Sequence, residues 1–495
     1  MSFSWNLPLF MIIGSLFLSA LSILLKKAAE MLTIVWVAML ITMDAILMVY
    51  TSKGSFTYSM GEFPAPWGNE IRAGVLEALV LLVFLVVILF SVIGGKKYLK
   101  THILESKQNL YFVLLNLSIA AVCALVFTND IFSGYVFLEI LTMASCGLMI
   151  VRSEGKTTLA AIRYMVMNLF GSGFFLLAVI LLYAMTGHLL MVPMSEALKT
   201  LALDPSMKLS LVFSIGVMTL GLSIKSGLFP FYYWMPDTYG WSTPTTASIM
   251  SSVVSKAYIF FLVKIYYRVI GTELLDALPL MSILFVMGIG GMIIGSLAAI
   301  RAKEINRMVA LSSAAQIGYI FMSLGIGGEI GAAAAIFHLI GHSVTKSLLF
   351  VTTPRLMEAS DGSGVFKNLR GSAFRNPLAG VAFSAAAFSM VGIPIFVGFS
   401  SKLFITMAAL ASEHKWLIYA AICALAVSAV LNALYFIRTV IRIFSRPEGE
   451  SLDIKPAKAE PSYMLSCAGL MGANIFMGIA PMIVFGLIEL GLLQL

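Results

Sequence analysis

Single ionisable residues interrupt the long apolar stretches of this 495-residue sequence. Glu139, Lys225, Lys256 and Lys402 each stand among mainly apolar or small neighbours. A charge at the centre of a membrane-spanning helix costs roughly 2.5–3.5 kcal/mol on insertion scales, and residues that carry this cost usually mark a proton or ion pathway. We therefore predict that these four side chains form a proton relay.

A second group of titratable residues follows a helical repeat. His338, His342 and Lys346 stand at i, i+4 and i+8, so they share one face of a helix. Imidazole exchanges protons near neutral pH, which favours a place for both histidines in the relay. A zinc site would need a third ligand, and the sequence indicates none. Lys346 belongs to the predicted relay too, with the inner edge of its helix as the alternative position.

A lysine beside a glutamate can act as a proton switch. Burial disfavours the charged form of either group, whereas a neighbouring opposite charge favours it. Moving the carboxylate away would then let the lysine release its proton. Hydroxyl residues such as Thr142, Ser312 and Ser401 stand near the predicted sites and can hold the water that carries protons between them.

Other ionisable residues in the apolar stretches have structural interpretations. Lys264 is predicted to lie near the outer end of its span and to extend its amine to the surface. Glu77 and Asp44 are expected near span ends, at the membrane interface. Asp130 begins a span and is interpreted as a helix cap. Asp237 is expected to cap a loop.

Composition identifies the solvent as lipid. The chain is 60% hydrophobic and only 11% charged, with a mean hydropathy of +0.97. Soluble domains carry about 25% charged residues. Apolar runs of about 18 or more residues recur throughout, each long enough to cross a bilayer. The first run, residues 7–25, lacks a basic leader and is kept as a helix rather than a signal peptide. An all-α, polytopic membrane protein is predicted.

Several function classes are excluded by residue usage. The net charge of +8 comes from small clusters in loops, which is a membrane-topology pattern rather than a nucleic-acid footprint. The four cysteines stand singly in apolar segments without a CxxC pair, so iron–sulfur, zinc and disulfide interpretations lack ligands. Five histidines leave little for haem. We expect no redox cofactor, no metal and no catalytic residue.

Hydropathy predicts fourteen spans. Their approximate bounds are 7–25, 31–50, 74–94, 109–127, 131–150, 158–185, 209–235, 244–270, 279–300, 305–325, 330–352, 377–410, 416–440 and 462–490. With the N-terminus outside, 21 of the 32 lysines and arginines fall in inner loops and their flanks, six fall in outer loops and five fall within spans. This asymmetry predicts an inner-membrane protein with both termini on the outer side.

Two spans contain helix-breaking residues. Pro230 follows Lys225 in span seven, and Pro394 precedes Lys402 in span twelve. Ordinary proline kinks are the alternative. Paired interruptions, five spans apart, are typical of inverted-repeat transporters. The chain is therefore divided into helices 1–3 (1–108), a first inverted repeat of helices 4–8 (109–271), a second of helices 9–13 (279–446), and a loop with helix 14 (447–495).

Short segments between about Gly61 and Arg446 carry a family resemblance. They are Phe63 to Gly68, Asn129 to Phe132, Phe137 to Glu139, Arg163 to Leu169, Lys225 to Pro230, Trp234 to Asp237, Ser255-Lys256, Asn306 to Ser313, His338 to Phe350, and Gly398 to Lys402. In this order and on these spans, they make the chain resemble the antiporter-like membrane subunits of respiratory complex I, energy-converting hydrogenases and Mrp-type sodium/proton antiporters.

The resemblance implies a fold and residue roles. The fold has fourteen helices in two inverted five-helix repeats, with helices seven and twelve broken. The implied roles are the helix-five glutamate for Glu139, its helix-seven partner for Lys225, the central helix-eight lysine for Lys256, the helix-eleven histidines for His338 and His342, and the helix-twelve position for Lys402.

Two features depart from the family pattern. Residues 240–248 are not rich in proline and alanine, and Asn306-Arg307 replaces the usual lysine–arginine pair of helix ten. The Phe63 to Gly68 segment favours the hydrogenase branch and the D-type branch of Mrp antiporters. The chain also ends soon after span fourteen, without the long lateral helix of complex I's distal subunit.

The expected function is proton translocation within a multisubunit membrane complex. The first hypothesis is a D-type Mrp component of a cation/proton antiporter, moving H+ and Na+. The alternative is the proton-pumping arm of a hydrogenase or complex I-like oxidoreductase. An organic-solute permease and a non-conducting anchor rank lower. Expected partners are other membrane subunits and the lipid bilayer, with no nucleic acid. Coupling ion and direction stay open.

Overall fold

The computed structural model describes residues 6–63, 68–446 and 458–495. Pro64 to Trp67, within the Phe63 to Gly68 segment, lie outside the described residues. So do residues 447–457, which include the predicted loop lysine Lys455 and the start of the predicted C-terminal unit.

The described chain is almost entirely helical. The helices of the first half are α1 (Leu7–Leu24), α2 (Ala29–Thr51), α3 (Val75–His102), α4 (Glu105–Phe127), α5 (Ile131–Ile150), α6 (Gly155–Thr186), α7 (Met191–Ala202), α8 (Lys208–Ser226), α9 (Met235–Trp241), α10 (Pro244–Ile249) and α11 (Ser255–Ile265). Those of the second half are α12 (Thr272–Asp276), α13 (Leu280–Arg301), α14 (Ile305–Ile326), α15 (Gly328–Glu358), α16 (Ser372–Arg375), α17 (Pro377–Val391), α18 (Val397–Leu410), α19 (Lys415–Ile443), α20 (Pro461–Ile479) and α21 (Pro481–Leu493).

Candidate membrane spans account for most of these helices. Within the described residues, thirteen helical stretches are long and apolar enough to span a membrane, among them the composite stretches Lys208–Trp241 and Pro244–Ile270. The span predicted for 377–410 consists of the two shorter apolar helices α17 and α18. The predicted all-α, polytopic architecture is confirmed. The division into inverted repeats stays a prediction.

Two helices form the centre of the protein. In both Pro244–Ile270 and α15, the whole apolar stretch is enclosed by other helices, whereas α2, α19 and α20 are about one-third buried. The central pair carries Lys256, His338, His342 and Lys346. These ionisable side chains are therefore held in the interior, because only an interior position spares them from lipid.

Both predicted helix breaks are present. α8 ends at Gly227, where φ is +75°, and a short 3₁₀ segment, Phe231–Trp234, leads into α9. α17 ends at Gly392, where φ is +96°, before α18 begins at Val397. Glycine accepts this left-handed conformation without the steric cost that a Cβ brings, so each crossing is divided into two half-helices.

Three elements were not predicted. An antiparallel hairpin pairs β1 (Phe56–Ser59) with β2 (Glu70–Ala73), in the register Phe56 opposite Ala73. Helix α7 lies in the loop before α8. The span predicted for 462–490 is two helices separated at Ala480. Pro481 has no amide hydrogen to continue the helix, and it instead begins α21.

Helices α3, α5, α13 and α15 end on one face of the protein, where ion pairs gather at the ends of α3, α5 and α15; we call it the basic face. Arg355 at the end of α15 donates hydrogen bonds to Glu460 at 3.0 and 3.3 Å, joining α15 to the segment before α20. The hydrogen bond from Arg355 lowers the pKa of Glu460. Asp237 pairs here with Arg163 of α6 and, at 3.2 Å, with Arg307 of α14. The prediction of a capping role for Asp237 was wrong, because its carboxylate bridges helices instead.

Candidate functional site

Glu139 and Lys225 form an ion pair between α5 and α8. The Lys225 amine lies 3.2 Å from Glu139 Oε1 and 2.8 Å from Thr142 Oγ1, and Ser172 of α6 donates to the same Glu139 oxygen. Lys225 is completely buried, whereas the Glu139 side chain is 21% exposed. Lys225 occupies the last turn of α8, so the break at Gly227 holds its amine at this depth.

The exposed edge of Glu139 opens onto the lateral surface of the chain. Val136 and Met143, one turn to either side along α5, are also exposed. A carboxylate surrounded by exposed apolar side chains at membrane depth is costly against lipid. This part of the surface is therefore suited to contact with another polypeptide.

Tyr258 connects this ion pair to the central helix. Its hydroxyl lies 3.1 Å from Thr142 Oγ1 and 3.5 Å from the Tyr164 hydroxyl, and the Lys225 amine lies 5.3 Å from the centre of its ring. Sequence reasoning missed Tyr258, because one tyrosine in an apolar helix is indistinguishable from a packing residue. Its place two residues after Lys256 was the available signal.

Lys256 lies in the enclosed centre without an acidic partner among the described residues. Its amine donates to the carbonyl of Ser251 and lies 3.3 Å from Ser255 Oγ. A π-helical turn, Met250–Val254, ends two residues before it. π-Helical turns widen the hydrogen-bond spacing and occur often at functional sites. Ser251 Oγ also contacts Ser313 Oγ of α14 at 3.0 Å, which extends the polar line toward α14.

The two histidines lie side by side on α15. Their rings stack with centroids 6.0 Å apart, and the His338 ring also stacks on Tyr319 at 5.3 Å. His338 Nδ1 shares a hydrogen bond with Ser401 Oγ of α18. The geometry therefore brings the predicted histidine pair to the second broken crossing.

Lys346 and Lys402 use backbone carbonyls as acceptors. Lys346 is fully buried and donates to Val309 O at 2.6 Å and to Ser312 Oγ at 2.5 Å, so the inner-edge alternative was wrong. Lys402 donates to Met390 O at 2.9 Å and to Val391 O at 2.5 Å. The last carbonyls of a helix have no amide partner within it, and the break after α17 supplies such acceptors to Lys402.

A small cavity joins the histidines to Lys402. It has a volume of about 10 Å³ and is lined by Gln316, His338, His342, Ser401 and Lys402, among others. Gln316 Nε2, His338 Nε2 and both ring nitrogens of His342 are buried without a protein hydrogen-bond partner in the described chain.

We expect this cavity to hold one ordered water. Its volume is just sufficient for one, and buried polar groups are nearly always satisfied by protein or water. A high-resolution density map of the purified protein should show a peak within hydrogen-bond distance of His342. A dry cavity in a map that resolves other buried waters would contradict this expectation.

Two corrections concern Lys264 and Glu77. Lys264 does not reach the surface; it is fully buried and donates to Val126 O at 2.6 Å and Thr128 O at 2.8 Å. Glu77 is buried too, 3.9 Å from the Lys264 amine and 3.6 Å from a guanidinium nitrogen of Arg268. Together, Glu77, Lys264 and Arg268 form a buried charge cluster at the face opposite the basic face.

Asp44 and Asp130 are two further ionisable residues for which the sequence predicted structural positions. Asp44 is also fully buried, contrary to the interfacial prediction, and neither of its carboxyl oxygens has a hydrogen-bond partner in the described chain. Asp130 accepts a hydrogen bond at 2.5 Å from the amide of Ser133, as predicted for a helix cap. Of these two residues, Asp130 therefore has the structural role predicted for it from the sequence.

Two sequence comparisons with known proteins identify the same group of membrane proteins. A family model described as "NADH:quinone oxidoreductase/Mrp antiporter, TM" matches residues 128–428. NADH-quinone oxidoreductase subunit N of Desulforudis audaxviator is 32% identical over 392 residues, covering 77% of this chain and 74% of that protein.

Two solved structures share the fold. A chain of the Mrp complex from Dietzia sp. superposes with a TM-score of 0.86 at 22% identity, over 100% of this chain and 98% of that one. A chain of the membrane-bound sulfane sulfur reductase, an archaeal respiratory membrane complex, gives 0.87 at 23% identity, over 99% and 96%.

Proposed function

This chain belongs to the NADH:quinone oxidoreductase/Mrp antiporter transmembrane family, and from that premise we propose that it translocates protons as one subunit of a redox-driven membrane complex. The relay runs from Glu139 and Lys225 through Lys256 to His338 and His342 with Lys346 beside them, and on to Lys402.

The ion pair between Glu139 and Lys225 carries the proposal. It is the only contact between a relay lysine and a carboxylate in the described part of the chain. Because the amine is buried and Glu139 is partly exposed, a change at the lateral surface can move the carboxylate and alter the charge balance at Lys225. An anchor gains nothing from such an arrangement, and a solute permease has no need of lysines on three crossings.

The partial exposure of Glu139 also supports a multisubunit assembly. An adjacent membrane subunit that covers this face would remove the carboxylate edge from lipid and give that subunit access to the switch. The relatives from Desulforudis audaxviator and Dietzia sp. are parts of such complexes.

Redox drive is favoured over cation antiport by the sequence relatives. The sequence motifs ranked the Mrp antiporter hypothesis first, but the 32% identical relative is a subunit of an NADH-quinone oxidoreductase. The structural likeness to the Mrp chain and to the sulfur reductase chain supports the fold alone. It does not distinguish cation antiport from redox drive. We therefore place the oxidoreductase arm first, with electron transfer in other subunits. The proposed location is the inner membrane, with both termini outside and the basic face inside.

Purification of the intact complex tests this assignment. A tagged chain is expected to co-purify with subunits that contain iron–sulfur clusters, visible by absorption spectroscopy and identified by mass spectrometry. Vesicles that contain the complex should move protons when an electron donor is added. Co-purification with small membrane subunits alone, together with sodium-dependent proton movement, would contradict redox drive and support antiport.

A further inference from the structure

A polar stripe runs along the buried side of α19. Ser428, Asn432, Tyr435 and Thr439 follow one another at intervals of four, three and four residues, so they share one face, and all are buried. On the other side of the same helix, the exposed apolar residues include Val427, Val430, Leu434 and Ile441. One helix therefore presents apolar residues outward and a line of hydrogen-bonding groups inward.

The stripe begins at a cavity on the basic face. This cavity has a volume of about 230 Å³, and its lining includes Tyr435, Arg438, Thr439 and Arg442 of α19. It lies where α13 and α19 both end, and Arg438 is exposed. A polar space of this size holds several waters.

The other end of the stripe reaches the relay. Tyr435 donates a hydrogen bond to Asn432 Oδ1, and Asn432 Nδ2 donates to the Tyr319 hydroxyl at 3.2 Å. The Tyr319 ring stacks on His338, and the Lys402 amine lies 5.6 Å from the centre of that ring. A line of hydrogen-bonded side chains thus runs from the cavity to Tyr319, whose ring contacts His338 and lies near the Lys402 amine.

We propose that Tyr435, Asn432 and Tyr319 form a gated proton route between the basic face and the second broken crossing, with Asn432 as the closed gate. A tyrosine hydroxyl both donates and accepts, so it can pass a proton on. An amide donates only from nitrogen and accepts only at oxygen, so it interrupts proton transfer. The route conducts when the amide turns away from one tyrosine and admits water.

This inference rests on the proposed function and adds the side of the protein to which the relay opens. It connects the His338 and Lys402 end of the relay to the basic face. The alternative is that Asn432 only ties α19 to α14. Asn116 provides the matched comparison, because it is equally buried and bonds Ser22 and Thr33 at 3.2 and 2.9 Å, outside the route.

Substitutions at Asn432 and Asn116 in the intact complex distinguish a proton route from a purely structural tie between α19 and α14. Asn432→Asp introduces a carboxyl group that can pass protons through either oxygen, and it should raise passive proton leakage several-fold in undriven vesicles. Asn432→Leu places an apolar side chain at the gate, which cannot hydrogen-bond water between the two tyrosines, so it should lower driven proton movement about 10²-fold, the size expected when a proton-transfer step is lost. Asn116→Asp and Asn116→Leu should do neither.

Tyr435→Phe keeps the ring and removes only the hydroxyl, so it tests the route if Asn432→Leu fails to assemble; it should lower driven movement similarly. The inference is overturned if the Asn432 variants behave like the Asn116 variants, or if Tyr435→Phe conducts normally. Those results, with transport still abolished by Lys225→Ala, would overturn the route alone. Transport retained by Lys225→Ala would instead overturn the proposed function.

Discussion

Substitution Lys225→Ala is expected to abolish driven proton movement while the complex still assembles. The amine is fully buried and is the hydrogen-bonding partner of Glu139 and Thr142. Its removal deletes both the proton carrier and the charge that responds to Glu139. A loss of about 10²–10⁴-fold is expected for a group that transfers protons. Proton movement in vesicles that contain the intact complex is the measurement.

Assembly should survive because Glu139 keeps the hydrogen bond from Ser172. Lys208→Ala is the matched control, since Lys208 begins the same helix α8 but is exposed. This control should retain transport. Full transport by Lys225→Ala, at a normal level of assembled complex, would refute the relay.

Substitution Glu77→Gln is expected to destabilise the protein strongly. Glu77 is the single carboxylate within 4 Å of the buried Lys264 and Arg268 among the described residues. Removing one partner of a buried ion pair leaves uncompensated charge and costs about 3–5 kcal/mol. The free energy of unfolding of the purified protein, from denaturation in mixed detergents, should fall by this amount.

The double variant Glu77→Gln, Lys264→Met should recover part of the loss, because one of the two orphaned cations is then removed. Glu413→Gln is the control, since Glu413 is exposed in the loop before α19. This change should leave stability within about 0.5 kcal/mol of the parent, as surface substitutions usually do. Equal stability of Glu77→Gln and Glu413→Gln would show that the buried cluster contributes no net stabilisation.

Hydropathy, together with the positions of proline and glycine, was sufficient to predict the apolar spans and the broken helices. A bilayer leaves few options for an apolar run of about 20 residues, and proline and glycine interrupt helices for local reasons. The single proline Pro481 was overlooked, so α20 and α21 were predicted as one helix. Hairpin β1–β2 was missed because its two strands are separated in sequence and short.

Side-chain partners could not be predicted in the same way. Lys264 was expected at the surface, since position along a helix does not specify what covers it. The structure buries it against the carbonyl end of α4 and beside Glu77. Asn432, Tyr435 and Tyr319 are ordinary polar residues in sequence, and only the packing of α19 on α14 brings them together.

The sequence by itself determined that four charged residues are too costly to face lipid, because each stands within a predicted apolar span. Glu139, Lys225, Lys256 and Lys402 were found on that ground. Tertiary structure alone decided what each one contacts. Lys225 meets a carboxylate and Lys402 the end of a broken helix, because those partners come from other helices, whereas Lys256 bonds its own π-helical turn.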